Sequence, residues 1–116
     1  MMKIYGIKNC NTMKRAFTAL DQHDVSYEFH DYKKQGIDEA TLKQWLTQKD
    51  QDLILNKKGT TWKKLSTDQQ AYALENEAQL IKTLIANPSM IKRPVLDTGS
   101  GILVGFDEAE YANLAK

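Results

Sequence analysis

The spacing of apolar residues changes several times along the chain, and each change marks an element. "MKIYGI" groups Ile4, Tyr5 and Ile7 in a short apolar-rich run that ends in a polar turn, as a buried first strand does. From Thr12 onward, Met13, Ala16, Phe17 and Leu20 recur at i, i+3, i+4 and i+7. That period predicts an amphipathic helix reaching about His23, with Lys14 and Arg15 off its apolar face. In "VSYEFHDY" the period falls to two, Val25, Tyr27 and Phe29 alternating with Ser26, Glu28 and His30, which predicts a second strand. Strand, helix and strand at these lengths form a βαβ unit with parallel pairing and a right-handed crossover.

The middle of the chain reads as helical. Gly36 and Asp38 open a helix that buries Leu42, Trp45 and Leu46, with Asp38 as N-cap. "LILNKKGTTWKKL" gives a short apolar piece, a basic turn at Lys57, Lys58 and Gly59, and a helical turn around Trp62 and Leu65. Ser66 with Gln69 fits a capping box, and Asn76 with Gln79 fits one more loosely, so two helices are predicted over 67–86 with a break near Glu75 or Asn76. Asn87 and Pro88 end them. "RPVLDTGSGILVGF" then reads as a hairpin, with Val95 and Leu96 on one strand, Thr98 to Gly101 in the turn and Ile102 to Val104 on the other. Asp107 and Glu110 cap a last helix expected to pack through Ala109, Ala112 and Leu114. The predicted fold is α/β, a mixed four-stranded sheet covered by helices, in a single domain over 1–116 with a helical insertion at about 37–90.

Composition adds limits. The 116 residues are enough for one domain burying roughly two thirds of its unfolded surface. A net charge of +1 provides no general field for nucleic acid or anionic membranes, so neither is an expected partner. Anion recognition must instead be local, and the first twenty residues hold Lys3, Lys8, Lys14 and Arg15 without one acid. No apolar run approaches the roughly 18 residues of a membrane span, and charges interrupt "MMKIYGIKNC" too early for a secretory segment, so a cytoplasmic monomer is expected.

The candidate chemistry starts at Cys10, the one cysteine, in "YGIKNCNTMKRAF". It falls where a strand ends and a helix begins, and the unpaired N–H groups of a helix start favour a thiolate. Lys8, Lys14 and Arg15 are expected to add to that field. A thiol of pKa about 8.5 is only a few per cent ionised at neutral pH, and one near 7 is half ionised, about a tenfold gain in nucleophile. The competing reading of a lone cysteine is a small buried hydrophobe; its neighbours Asn9, Asn11 and Thr12 favour a loop and a cap instead. One cysteine cannot form an internal disulfide, so thiol chemistry requires a second thiol from outside. Arg93 is one of only two arginines among 16 basic residues, and arginine is the side chain that grips carboxylates and oxyanions bidentately. Pro94 has no N–H to give a ladder, which fits a strand entry or a cis bond. Lys57, Lys58 and Gly59 could cradle an anion or be simply solvated. His23, His30 and Cys10 match no short-range zinc pattern, so no metal site is predicted.

Four stretches in order, "YGIKNCNTMKRA", "FHDYKKQGID", "NKKGTTWKKL" and "MIKRPVL", resemble the ArsC/Spx family, most closely its YffB-like, ArsC-related branch. The resemblance spans nearly the whole chain and implies a thioredoxin- or glutaredoxin-like fold with an inserted helical segment. It implies that Cys10 is the nucleophile, that Pro94 is a cis-proline beside it, and that Arg93 is the arginine preceding that proline. It further implies a glutathione-dependent thiol reductase with glutathione, or another small thiol, as co-substrate and no tightly bound cofactor. Asn11 and Thr12 would position the attacked group, while Arg93, Lys58 and Lys8 or Lys14 would bind glutathione carboxylates. Two other activities occur in the family. Arsenate reductases resemble the chain at Cys10, Thr12 and Arg93, but a later arginine of theirs falls at Phe106 here, and Lys14 and Lys58 stand where relatives carry arginine. Losing a guanidinium near a doubly charged oxyanion removes a contact worth roughly 1.5 to 3 kcal/mol, which argues against efficient arsenate reduction. The resemblance also leaves a non-catalytic alternative for this chain, docking on RNA polymerase as Spx-type regulators do, but these often carry a C-x-x-C switch whose second position is Met13 here, which excludes a switch by internal disulfide.

Overall fold

The computed structural model describes residues 1–114. The chain starts with β1 (Met2–Gly6), α1 (Asn11–Gln22), β2 (Tyr27–Asp31) and a one-turn helix α2 (Tyr32–Gln35). A run of helices follows: α3 (Glu39–Gln48), α4 (Gln51–Ile54), α5 (Thr60–Lys64), α6 (Thr67–Glu75) and α7 (Glu77–Ala86), closed by a 3-10 turn at Pro88–Met90. The hairpin β3 (Val95–Asp97) and β4 (Ile102–Val104) leads into α8 (Glu108–Asn113). These elements form two compact units, one from Met1–Gln35 and the segment from Lys92 on, the other from Gly36–Ile91.

The first unit is built on a four-stranded sheet in the order β2-β1-β3-β4. β1 pairs parallel with β2 and antiparallel with β3, and β3 pairs antiparallel with β4. The register aligns Phe29, Ile4, Leu96 and Leu103 in one row across the sheet. Side chains of one row share a face, and this face meets α1. The stripe on α1 supplies Met13, Ala16, Ala19 and Leu20, which with Ile4, Leu96 and Tyr111 make the buried cluster. The alternating pattern of β2 holds, with Tyr27 and Phe29 half-buried and Glu28 exposed between them. The neighbouring row of His30, Tyr5, Val95 and Val104 lies on the opposite face, where the rings of Tyr5 and His30 sit 4.7 Å apart.

Two expectations for this unit change. The second strand stops at Asp31 instead of reaching Tyr32, because Asp31 turns the chain: its Oδ1 accepts from the Lys33 N–H at 2.9 Å, and its own N–H donates to Gln35 Oε1 at 3.2 Å. The last helix is anchored by Tyr111, which is fully buried, whereas Ala109 is exposed and Ala112 and Leu114 are only partly covered. The long aromatic ring reaches the sheet where short alanines cannot.

In the second unit the caps foreseen in the sequence form. Asp38 accepts from the Thr41 N–H at 2.8 Å, and Ser66 and Gln69 exchange both bonds of a capping box at 2.8 and 3.1 Å. The Asn76 box is half made, since Asn76 accepts from the Gln79 N–H at 2.9 Å while Gln79 Oε1 is buried with no partner. Leu42 and Trp45 of α3 are buried, as are Ile54, Trp62, Leu80, Ile81 and Leu84. The apolar piece at 53–55 is taken up by the short α4 (Gln51–Ile54), capped by Asp50, and by an antiparallel bridge from Leu55 to Ile91.

Gly6 ends β1 and begins the loop to α1. A Cβ there would lie inside the van der Waals shell of Met13 Sδ and Cε, so this fully buried side chain would have to shift within a packed core. Gly6→Ala is therefore expected to destabilise the protein by about 1 to 3 kcal/mol, the usual cost of overpacking. Urea unfolding would register this as a lower midpoint with an unchanged m-value; an unchanged midpoint would mean that Met13 yields freely.

Candidate functional site

Cys10 is the N-cap of α1, in an extended conformation with φ −134° and ψ 129°. Its carbonyl takes the first intrahelical bond, from the Lys14 N–H at 3.0 Å, so its side chain projects at the helix start among N–H groups that have no carbonyl of their own. The thiol is partly exposed. Burial, the largest influence, pushes its pKa up; the backbone N–H groups of Met13 and Thr12, followed by the hydrogen bond and charge of Arg93, outweigh it and bring the pKa below the ordinary thiol value. The thiol makes no full cap hydrogen bond at rest, so these donors act by favouring the anion.

Arg93 arrives from the far end of the sequence. It precedes β3 and joins Pro94 through a cis peptide bond, with Arg93 half-buried and Pro94 buried. The Pro94 carbonyl accepts from the Gly105 N–H at 2.8 Å, one step beyond the Val95 to Val104 pair. Gly105 has φ +80°, a conformation open to glycine at little cost, which lets the chain leave β4 just after making this bond. Arg93 also lowers the energy of a neighbouring phenolate at Tyr32, although burial dominates there and holds that phenol neutral. The Tyr32 hydroxyl is buried without a hydrogen-bond partner among the described residues.

The first unit thus brings together Cys10, Thr12, Arg93 and, by its peptide bond to Arg93, Pro94. Asn11 is the first residue of α1 and is exposed. Lys8 and Lys14 are exposed, and the charge that acts on the sulfur is that of Arg93. Arg15 also differs from expectation: its guanidinium lies 5.1 Å from the centre of the Phe106 ring, which packs edge-on against Tyr111 at 4.8 Å. Arg15 is therefore engaged by an aromatic face. Lys58 belongs to the second unit, in the turn before α5, where its N–H donates to Asn56 Oδ1 at 3.2 Å. Among the described residues, no three of His, Cys, Asp and Glu converge as metal ligands, and no helix is long and apolar enough to cross a membrane.

Sequence reasoning missed the Arg15 to Phe106 contact and the unpartnered Tyr32. Neither has a local signal: the first joins residues 15 and 106, and the second depends on a one-turn helix with no periodicity to detect.

The sequence pattern of the ArsC family matches residues 5–114. A solved structure of the YFFB protein superposes with a TM-score of 0.93 at 46% identity, covering 100% of both chains. An arsenate reductase (ArsC) related protein from Brucella melitensis is 42% identical with a TM-score of 0.73, over 97% of this chain and 92% of its own. The global transcriptional regulator Spx of Listeria innocua is 25% identical over 112 residues, 95% of this chain and 83% of Spx.

The pH dependence of Cys10 tests this account of the sulfur. Its alkylation rate is expected to rise through a midpoint below the ordinary thiol value, and Arg93→Gln should move that midpoint up. A midpoint that ignores Arg93 would remove the guanidinium from the site.

Proposed function

The chain belongs to the ArsC family, and on that premise we propose that it is a glutathione-dependent thiol-disulfide reductase working through a single cysteine. The observation that most directly supports this reading is the position of Cys10: partly exposed at the start of α1, with the N–H groups of Met13 and Thr12 and the Arg93 guanidinium favouring its thiolate.

The reaction has two displacements. The Cys10 thiolate attacks the glutathionyl sulfur of a mixed disulfide, a Cys10–glutathione bond forms, and the other sulfur leaves as a thiolate that takes a proton from solvent. A second glutathione, as its thiolate, then attacks the glutathionyl sulfur on Cys10. Oxidised glutathione leaves and the Cys10 thiolate returns. Two electrons pass from glutathione to the substrate disulfide, and the chain itself ends unchanged. The external thiol is required because Cys10 is the only cysteine.

Each flanking group has a role in this scheme. The helix-start N–H groups hold the sulfur as an anion before attack and after release, Asn11 and Thr12 orient the incoming sulfur, and Pro94 presents an edge along which the glutathione backbone lies. Arg93 serves both the sulfur and a glutathione carboxylate, with Lys8 or Lys14 taking the second carboxylate.

Arsenate reduction is the weaker reading for this chain. A dianionic oxyanion needs several guanidinium groups, and one of the two arginines here is held over Phe106. A glutathione reductase-coupled assay with a small glutathionylated disulfide should show turnover that Cys10→Ser abolishes. Arsenate in place of the disulfide should give at most a trace of that rate. Full turnover in Cys10→Ser would end the reductase reading, and equal turnover on arsenate would favour the arsenate one. A wild-type blank on both would leave a binding role of the kind that the name of Spx describes.

A further inference from the structure

β2 is an edge strand, and the half-buried rings of Tyr27 and Phe29 on it are met by Phe17 from α1. Phe17 lies nearly parallel to Tyr27, with centroids 5.7 Å apart and planes 15° apart, and edge-on to Phe29 at 5.1 Å and 81°. These rings wall a groove of about 460 Å³, rimmed by Lys8, Asp31 and Lys34. That volume is within the range of roughly 300 to 1,000 Å³ for small-molecule sites, and its pattern of apolar walls with a few polar groups is theirs as well.

The free charges on the rim favour an anionic occupant. Lys8 and Lys34 are exposed and have no ion-pair partner among the described residues. Asp31, the one acid in the lining, is 8% exposed, and its Oδ1 is taken by the Lys33 N–H. The Asp21 carboxylate interacts with the Tyr27 hydroxyl but is not part of the lining. An occupant with an apolar plane is favoured by the three rings, and its anionic end is favoured at the two lysines.

We propose that this groove is a binding site for small planar apolar compounds that carry one carboxylate or similar anionic group. It deepens the reductase reading, and rests on it only in one respect: with Lys8 on the rim two residues before Cys10, the occupant in that reaction would be the thiol-bearing half of the mixed disulfide, an aromatic or similarly flat acid. Phe17 is seven residues past Cys10 on α1, about 10 Å along the helix axis, and Cys10 is not among the lining residues.

The binding test needs no catalysis. In full-length Cys10→Ser protein labelled with nitrogen-15, titration with naphthoate should shift the backbone amide signals of Lys8, Phe17, Tyr27, Phe29 and Lys34 saturably. Naphthalenemethanol, the neutral counterpart, should bind about fivefold more weakly, and the exposed-site variant Lys34→Glu should weaken naphthoate by a similar factor. Tyr27→Ala, checked for folding by circular dichroism, should remove the shifts. Absence of saturable shifts in this region, shifts confined to another surface, or equal affinity for the neutral compound would each overturn the proposal. Because the sulfur is absent throughout, failure here is separate from failure of the reductase assay.

Discussion

A thiolate at Cys10 requires two parts of the chain that are more than eighty residues apart to meet at one atom, and the register of β1 against β3 brings this about. Tyr5 pairs with Val95, which sets Gly6, where β1 ends, across from Pro94, where β3 is about to begin. Four residues beyond Gly6 the chain reaches Cys10, and one residue before Pro94 stands Arg93. Sliding the pair by one residue would displace Arg93 by about 3.3 Å and turn Ile4 and Leu96 out of the buried cluster. The same apolar packing that stabilises the sheet therefore holds the guanidinium to the sulfur. Met13 adds a second tie, because it is at once the residue that Gly6 must make room for, a member of the cluster, and the carrier of a backbone N–H that favours the Cys10 thiolate.

Burial and charge oppose each other at this atom. Partial withdrawal from water favours the neutral thiol, yet it also lowers the local dielectric through which Arg93 and the helix-start N–H groups act. A fully exposed sulfur would escape the penalty and lose most of the benefit, since screened charges a few ångströms away contribute little. A fully enclosed one could not be reached by a disulfide. The half-exposed position on an N-cap keeps the anion accessible while the donors, fixed in the backbone, need no reorganisation to stabilise it.

Much of the architecture could be read in the sequence because it is written in local period and local chemistry. The stripe from Met13 to Leu20, the alternation from Val25 to Phe29, the Ser66 box, the break at Asn76 and the turn between Leu96 and Ile102 all have signals within ten residues. The Tyr32–Gln35 turn was missed because one helical turn has no period, and its cause is a pair of side-chain bonds around Asp31. Tyr111 was overlooked in favour of small apolar neighbours because a short helix of six residues offers too few positions to define a face. At the site, the placement of Cys10 at a helix start could be inferred from the strand-to-helix turn, and the Arg93–Pro94 cis bond through the family resemblance. The distribution of cationic side chains could not be inferred: Lys8, Lys14, Arg15 and Arg93 look equivalent in composition, and only the tertiary fold separates the one that acts on the sulfur from the one that rests on a ring.

That separation constrains the chemistry. With Arg15 over Phe106, a single guanidinium acts on the Cys10 sulfur. One delocalised cation with two backbone N–H groups matches a sulfur that carries at most one negative charge, whereas a doubly charged oxyanion would leave charge uncompensated in a half-buried position. The same economy applies to the thiol. A chain with one cysteine has no internal group to resolve a mixed disulfide, so under the proposed reaction Cys10 remains capped until a soluble thiol arrives, and its occupancy follows the ratio of reduced to oxidised thiol around it. Catalysis and sensitivity to the thiol pool then arise from one property, an ionised sulfur with no partner in its own chain.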